Sequence, residues 1–299
     1  MAFVVRFWGV RGSIPTPGPS TSCYGGNTAC VEFEIDDTLM VCDAGTGARE
    51  LGLELMTRTK PLNVHWFFSH AHWDHIQGFP FFTPVYVAGH RFTIYGVKTG
   101  DNRFARLLSG QMHSSYFPVD FQDLRGNIGA DDLGDGERVL DGVRVRVFEQ
   151  NHPGRSYAYS FEKDGVKVVY ATDNELDQQL LDPSQAIERP DELRHIPEDF
   201  VEFCRDAAML VCDGQYTDAD YPQRVGWGHP RASTMVDLAV RASAKRLAIF
   251  HHDPMHSDED VGGLIDACRA RVERHGADLF VFAAREGFEI RADMPQVPE

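Results

Sequence analysis

The stretch Trp66-Phe67-Phe68-Ser69-His70-Ala71-His72-Trp73-Asp74-His75 sets three imidazoles and a carboxylate within six residues, directly behind an apolar run. Val64–Ser69 reads as a buried strand, so the His-rich run falls on the loop at that strand's C-terminal end. In open α/β architectures that is the edge where ligands bind. Packed together without a cation, His70, His72, Asp74 and His75 would repel one another. Imidazole and carboxylate are, however, the usual ligands of zinc, manganese and iron. The run therefore reads as part of a metal site, and because adjacent residues cannot surround an ion, the site must be completed from elsewhere.

The completing candidates also follow strand-like runs. His152 comes after Val143–Gln150, Asp173 after Val168–Thr172, and His251 with His252 after Leu247–Phe250. The last two of these lie within the longer runs Val166–Thr172 and Arg246–Phe250, and further strand-like runs are Val4–Val10, Cys30–Ile35, Thr38–Asp43, Ser156–Glu162, Met209–Asp213 and Leu279–Ala283. Helical periodicity is clearest over Asp258–His275, with Val261, Leu264, Ile265, Cys268 and Val272 on one face. Ser257 and Asp260 form a capping box at its start and Gly276 a stop at its end. A second helix covers Thr234–Ala244, facing inward with Met235, Leu238, Ala239 and Ala242. Strands in two batches, each followed by helices, predict two packed sheets with helices outside, in a single domain over residues 1–299.

Two segments stand apart. Residues 96–124 hold Phe104, Met112, Tyr116 and Phe117 among polar residues and read equally as an edge helix with its loop or as an aromatic lid. Residues 174–205, after Asp173, read as an insertion of mixed, mainly acidic charge.

Bulk properties exclude several classes. The six cysteines show no CxxC pair, which fits reduced thiols in a cytoplasm better than disulfides or a zinc knuckle. No apolar run is long enough to cross a bilayer, and the first residues lack the three parts of a signal peptide. The expected location is therefore the cytoplasm, with no membrane partner. A net charge of −16 without any basic run argues against a large nucleic acid as partner and favours a small-molecule substrate. A homodimer is compatible with the base rate for soluble proteins, and nothing in the residues decides it.

The order His70-x-His72-x-Asp74-His75, then His152, Asp173 and His251, resembles the ligand set of the metallo-β-lactamase superfamily across nearly the whole chain. That resemblance implies a four-layer αββα sandwich with two divalent ions, zinc first, manganese or iron as alternatives. It implies one ion on His70, His72 and His152, a second on Asp74, His75 and His251, and Asp173 bridging. His252 and His256 then become candidates for substrate contact, with Tyr116 and Phe117 as stacking residues. Asp43, in Asp43-Ala44-Gly45-Thr46-Gly47, looks like the superfamily's turn residue that orients the metal loop.

Gly226-Trp227-Gly228-His229-Pro230, followed by a helix, a strand and His251, resembles the branch holding ribonuclease Z and related phosphodiesterases. The usual Ser or Thr after the Gly-His histidine is Pro230 here. Gly9–Pro15, Pro17-Gly18-Pro19 and Tyr24–Thr28 look like a cyclic-nucleotide-phosphodiesterase-like subgroup in which Gly-rich loops flank the metals. The resemblance implies hydrolysis of a small, cyclic or linear phosphodiester by a hydroxide held between ions roughly 3.5–4 Å apart. Asp74 would orient or deprotonate the attacking water, and His229 would protonate the leaving oxygen. The rivals are a glyoxalase II-like thioesterase, a tRNA 3′-processing endoribonuclease and a metal-binding scaffold without activity. A Gly- and Pro-rich arm for gripping tRNA is not evident in the sequence, which places the endoribonuclease behind the small-diester reading.

Overall fold

A computed structural model of the chain describes residues 1–96, 104–131, 133 and 136–294. Strands β1 (Phe3–Gly9), β2 (Cys30–Ile35), β3 (Thr38–Cys42), β4 (Asn63–Phe67), β5 (Arg91–Tyr95) and β6 (Asn127–Asp131) belong to one sheet. A second sheet holds β7 (Glu137–Leu140), β8 (Val143–Gln150), β9 (Ser156–Lys163), β10 (Val166–Ala171), β11 (Met209–Asp213), β12 (Arg246–Phe250) and β13 (Phe280–Ala283). The last strand, β14 (Glu289–Arg291), returns to pair with β1.

The chain divides into two compact units, each built on one sheet. Unit 1 comprises Met1–Pro17, Gly25–Gly136 and Arg285–Glu299; unit 2 comprises Gly18–Tyr24 and Glu137–Ala284. All ten strand runs read from the sequence are present. The four that were not read, β5, β6, β7 and β14, are short, and β6 and β7 are largely exposed, so they lack the apolar contrast that marks a strand.

In unit 1 the order is β14-β1-β2-β3-β4-β5-β6, antiparallel from β14 to β3 and parallel from β3 to β6. Arg6, the one charge in the first strand run, bonds to Glu289, Glu32 and Glu34 on the strands either side of it. Because β3 and β4 run parallel with Cys42 opposite Phe67, the Asp43 turn and the His70–His75 loop leave the sheet side by side. Helix α1 (Ala48–Leu55) covers this sheet with Ala48, Leu51 and Leu55, against Val41, Val64 and Trp66. The short helix α2 (Trp73–Ile76) lies within the metal loop.

The lid segment lies in unit 1, and its residues 97–103 are outside the described residues. Beyond them, α3 (Phe104–Gln111) sends Phe104 and Leu108 into the unit 1 core, with Met112 just after it. Phe117 packs edge-on against Phe81 at 5.4 Å, and Tyr116 faces solvent.

In unit 2 the order is β13-β12-β11-β10-β9-β8-β7. Strands β10 to β13 are parallel, and β8, two antiparallel steps from β10, points the same way. The C-terminal ends of β8, β10, β11 and β12 therefore line one edge, and it is there that His152, Asp173, Asp213 and His251 stand. Helix α4 (Gln185–Glu188) is a single turn, α5 (Glu198–Cys204) and α6 (Ala232–Arg241) follow, and α7 (Asp258–Arg274) has the capping box with both bonds made. Its apolar residues are buried as read, with Arg271 among them. No helix among the described residues is long and apolar enough to cross a membrane.

The segment 174–205 is built into the unit 2 core through Leu176, Leu180, Ile196, Phe200, Val201, Phe203 and Cys204. A buried ion cluster ties it down. Asp237 of α6 accepts from Arg271 of α7 at 2.5 and 2.8 Å, and from the Arg194 backbone and guanidinium at 3.0 and 3.1 Å. Arg271 also donates to the carbonyls of Pro190 and Glu192, both at 2.8 Å. Removing the carboxylate would leave the buried Arg271 guanidinium without its counter-ion and Arg194 with only the exposed Asp218, at 2.8 Å. Asp237→Ala is expected to destabilise unit 2 by about 3–5 kcal/mol in denaturant unfolding, and a loss under 1 kcal/mol would show that the cluster carries little of the fold's stability.

Candidate metal centre

In unit 1 the metal loop is held by one carboxylate. Asp43 sits just past β3 with φ 58°, a backbone conformation that Asp adopts more readily than most residues. Its Oδ1 accepts the Ser69 N–H at 2.7 Å, and its Oδ2 accepts both the Ser69 hydroxyl and His75 Nδ1 at 2.8 Å. A carboxylate can only accept, so His75 carries its proton on Nδ1 and the Ser69 hydroxyl proton points at Asp43. The Ser69 oxygen is then an acceptor for His70 Nδ1 at 3.1 Å, which fixes the His70 tautomer as well. Both rings are thereby left with a lone pair on Nε2, the form in which imidazole binds a metal.

The rings of His72 and His75 lie 4.4 and 4.3 Å from that of His70, centroid to centroid. Asp74 Oδ2 lies 3.2 Å from His75 Nε2 and accepts the Ser13 N–H at 2.7 Å, so the Gly9–Pro15 block lies against the metal loop. Gly45 lets the Asp43 turn approach closely, since a Cβ there would stand 2.3 Å from the Asp74 carbonyl oxygen.

Unit 2 repeats this logic with different acceptors. His152 Nδ1 donates to the Gly228 carbonyl at 2.9 Å, and His251 Nδ1 to Gln215 Oε1 at 2.9 Å. Asp173, at φ 54°, lies between them: Oδ1 is 3.3 Å from His251 Nε2 and Oδ2 is 3.8 Å from His152 Nε2. With protons on Nδ1, lone pairs on nitrogen and oxygen face one another across these gaps. That arrangement is repulsive unless a cation lies between, which is how the donor set fits divalent metal ions. Asp173, Asp213, His229 and His251 offer ligand atoms all within 4.8 Å of one another.

His229 Nδ1 bonds to Asp213 Oδ2 at 2.8 Å, and its ring stacks on that of His251 at 5.0 Å. Asp213 also accepts the Gln215 N–H at 3.0 Å. The Gly-His loop is pinned by Glu175, whose carboxylate accepts the N–H groups of Gly226 (2.6 Å) and Gly228 (2.8 Å) and the Tyr221 hydroxyl (2.9 Å). Glu175 thus holds the carbonyl that orients His152. Gly228, at φ 93°, admits no side chain, because a Cβ would stand 2.3 Å from His152 Nδ1.

The two adjacent histidines part company here. His251 turns to Asp173 with φ 59°, while His252 bonds through Nε2 to the Ala284 carbonyl at 2.8 Å and tilts against Tyr24 at 5.7 Å. His256 faces Asp220 at 3.6 Å. Tyr116 and Phe117 stand beyond α3, which reaches the metal loop through a bond from Gln111 to the Ile76 carbonyl at 3.0 Å. The sequence reading did not single out Asp213, Gln215, Glu175 or Ser69. For Asp213 a signal existed: it ends a fully buried strand, as Asp173 follows one. Five cysteines are buried, and burial pushes the Cys204 and Cys268 thiols up to about 12, so those two are neutral and offer no thiolate to a metal.

The sequence profile of the beta-lactamase superfamily domain matches residues 38–252. A protein of Natronomonas pharaonis named ribonuclease Z is 23% identical, covering 99% of each chain, and all eight curated relatives found carry that name. Among solved structures, the metallo-beta-lactamase fold protein YhfI from Bacillus subtilis superposes with a TM-score of 0.65 at 17% identity, covering 97% of this chain and 98% of that one. Human tRNase Z, short form, gives 0.60 at 18%, covering 96% and 98%.

These names overturn the expectation that large nucleic acids are set aside as partners. The charge argument failed because −16 is a sum over the whole chain. What acts on a phosphate at the site is the local field there, not that sum. A match across most of the chain, over a fold shared with solved structures and a His/Asp donor set at its strand ends, leads to one statement: this chain belongs to the beta-lactamase superfamily and is a hydrolase of the metallo-β-lactamase fold.

Proposed function

We propose that the chain is a metal-dependent endoribonuclease that hydrolyses a phosphodiester in RNA, in the manner of tRNA 3′-end processing. The observation that carries this reading is the Asp213–His229 pair beside Asp173 and His251. It supplies an oriented imidazole within a cluster of metal-ligand type. The names of the relatives support RNA among phosphodiesters, since the fold alone selects no substrate.

In this reading the metal ligands are His70, His72, Asp74, His75, His152, Asp173 and His251, in the two sets the superfamily pattern implies. Divalent ions, zinc first, would supply Lewis-acid polarisation of the phosphate and acidify a water. Asp74 orients the attacking water. Asp213 keeps the His229 proton on Nδ1 in the neutral ring and stabilises the imidazolium, so that Nε2 can hold and deliver a proton to the leaving oxygen. Pro230 supplies no hydroxyl beside His229, and the ring's bonded partner is Asp213.

Two outcomes follow. On a precursor tRNA with a 3′ trailer, His229→Ala is expected to lower kcat by about 10²–10⁴-fold while metal content holds. Unchanged turnover at full metal occupancy would contradict the role of His229. Wild-type activity on bis(p-nitrophenyl) phosphate but on no RNA would move the substrate to small diesters, and activity on thioesters alone would end the phosphodiesterase reading. Second, Asp43→Ala removes the acceptor behind His75 and Ser69, so metal affinity measured by chelator competition should fall about 10–100-fold. Wild-type affinity in that variant would show that Asp43 does not set the ligand form of these imidazoles.

A further inference from the structure

The chain has four tryptophans. Trp66 is fully buried and Trp8 half-buried, but Trp73 and Trp227 are 67% and 63% exposed. Both exposed indoles lie within two positions of a site residue: Trp73 between His72 and Asp74, Trp227 two before His229. Trp is highly buried on average in folded proteins, and both of these indoles depart from that beside a site residue.

Trp227 is not exposed through a loose loop. The N–H groups on either side of it, at Gly226 and Gly228, are bonded to the same Glu175 carboxylate, and its own N–H donates to the Arg224 carbonyl at 3.0 Å. Arg224 is itself held, its guanidinium 5.1 Å over the Tyr216 ring and 3.3 Å from Asp220. The backbone is ordered already while the indole remains in water. Such a ring can take up a flat partner with little further loss of conformational freedom. Next to a histidine that serves a phosphodiester, the flat group within one nucleotide's reach is a base.

We propose that Trp227 is a stacking platform for an unpaired nucleobase flanking the phosphodiester that His229 serves. The proposal rests on the phosphodiesterase reading for the identity of the base, and on the Glu175-pinned loop for its geometry. Stacking on an indole is tolerant of base identity, so the site favours single-stranded nucleotides without reading sequence.

The test uses the metal-loaded full chain as wild type, Trp227→Phe, Trp227→Ala and Trp73→Phe. Adenosine 5′-monophosphate should quench tryptophan emission in the wild type and in Trp73→Phe, and most of that quenching should vanish in Trp227→Phe. For an unstructured oligoribonucleotide, Trp227→Ala should raise KM about 5- to 100-fold with a smaller effect on kcat, and Trp227→Phe should recover most of the loss. Undiminished quenching in Trp227→Phe, or an unaltered KM in Trp227→Ala, overturns the proposal. So does a change of oligomeric state in Trp227→Ala with an intact nucleotide response, which would assign the indole to a protein contact. A wild type that cleaves no phosphodiester but whose quenching vanishes in Trp227→Phe would keep the platform and remove the phosphodiesterase reading.

Discussion

A neutral imidazole offers Nε2 to a metal only while its proton is held on Nδ1, and much of the architecture around the site serves that requirement. Asp43 holds the proton of His75, the Ser69 hydroxyl that of His70, Gly228 that of His152, and Gln215 that of His251. Each acceptor is fixed in turn by something else. Asp43 takes the Ser69 N–H, and Glu175 takes the N–H of Gly228 itself. Because these groups are buried, a missing partner would cost a full desolvation penalty as well as a lost bond, so the network tolerates little variation in position.

The fold meets the requirement through strand direction. Parallel neighbours end at the same edge, so β3 and β4 deliver Asp43 beside the His70–His75 loop, and β10, β11 and β12 deliver Asp173, Asp213 and His251 together. At Asp43, Asp173 and His251 the chain turns through a left-handed conformation at or just beyond the strand end. For non-glycine residues that conformation is uncommon, although Asp and His adopt it more readily than most, and it persists because the surrounding bonds determine it. Cysteine chemistry plays no evident part, since five of the six thiols are buried in the cores.

Much of this could be read from residue order. The His70–His75 run, the strand ends before His152, Asp173 and His251, and the capped helix after Ser257 all carry local signals, namely ligand clustering, apolar runs and capping pairs. The acceptors behind the rings carry none, because Gly228 reaches His152 across 76 residues and Gln215 reaches His251 across 36. The choice between His251 and His252 was open in sequence for a similar reason: only the turn at His251 decides which ring faces Asp173. Edge strands such as β7 were missed because exposed polar residues hide their period. The exclusion of large nucleic acids rested on a sum of charges, which says nothing about the local field at the site.

The central claim is that tautomer-fixed imidazoles and Asp173 hold divalent ions through Nε2 and carboxylate oxygen. Anomalous diffraction from crystals of the zinc-loaded protein tests it most directly. The account predicts two peaks per chain, with His Nε2 atoms about 2.0–2.1 Å from zinc, Asp173 between the peaks, and Nδ1 of His75, His152 and His251 still bonded to Asp43, Gly228 and Gln215. A peak coordinated through Nδ1 of any of these rings, or no peak beside Asp173, would contradict it.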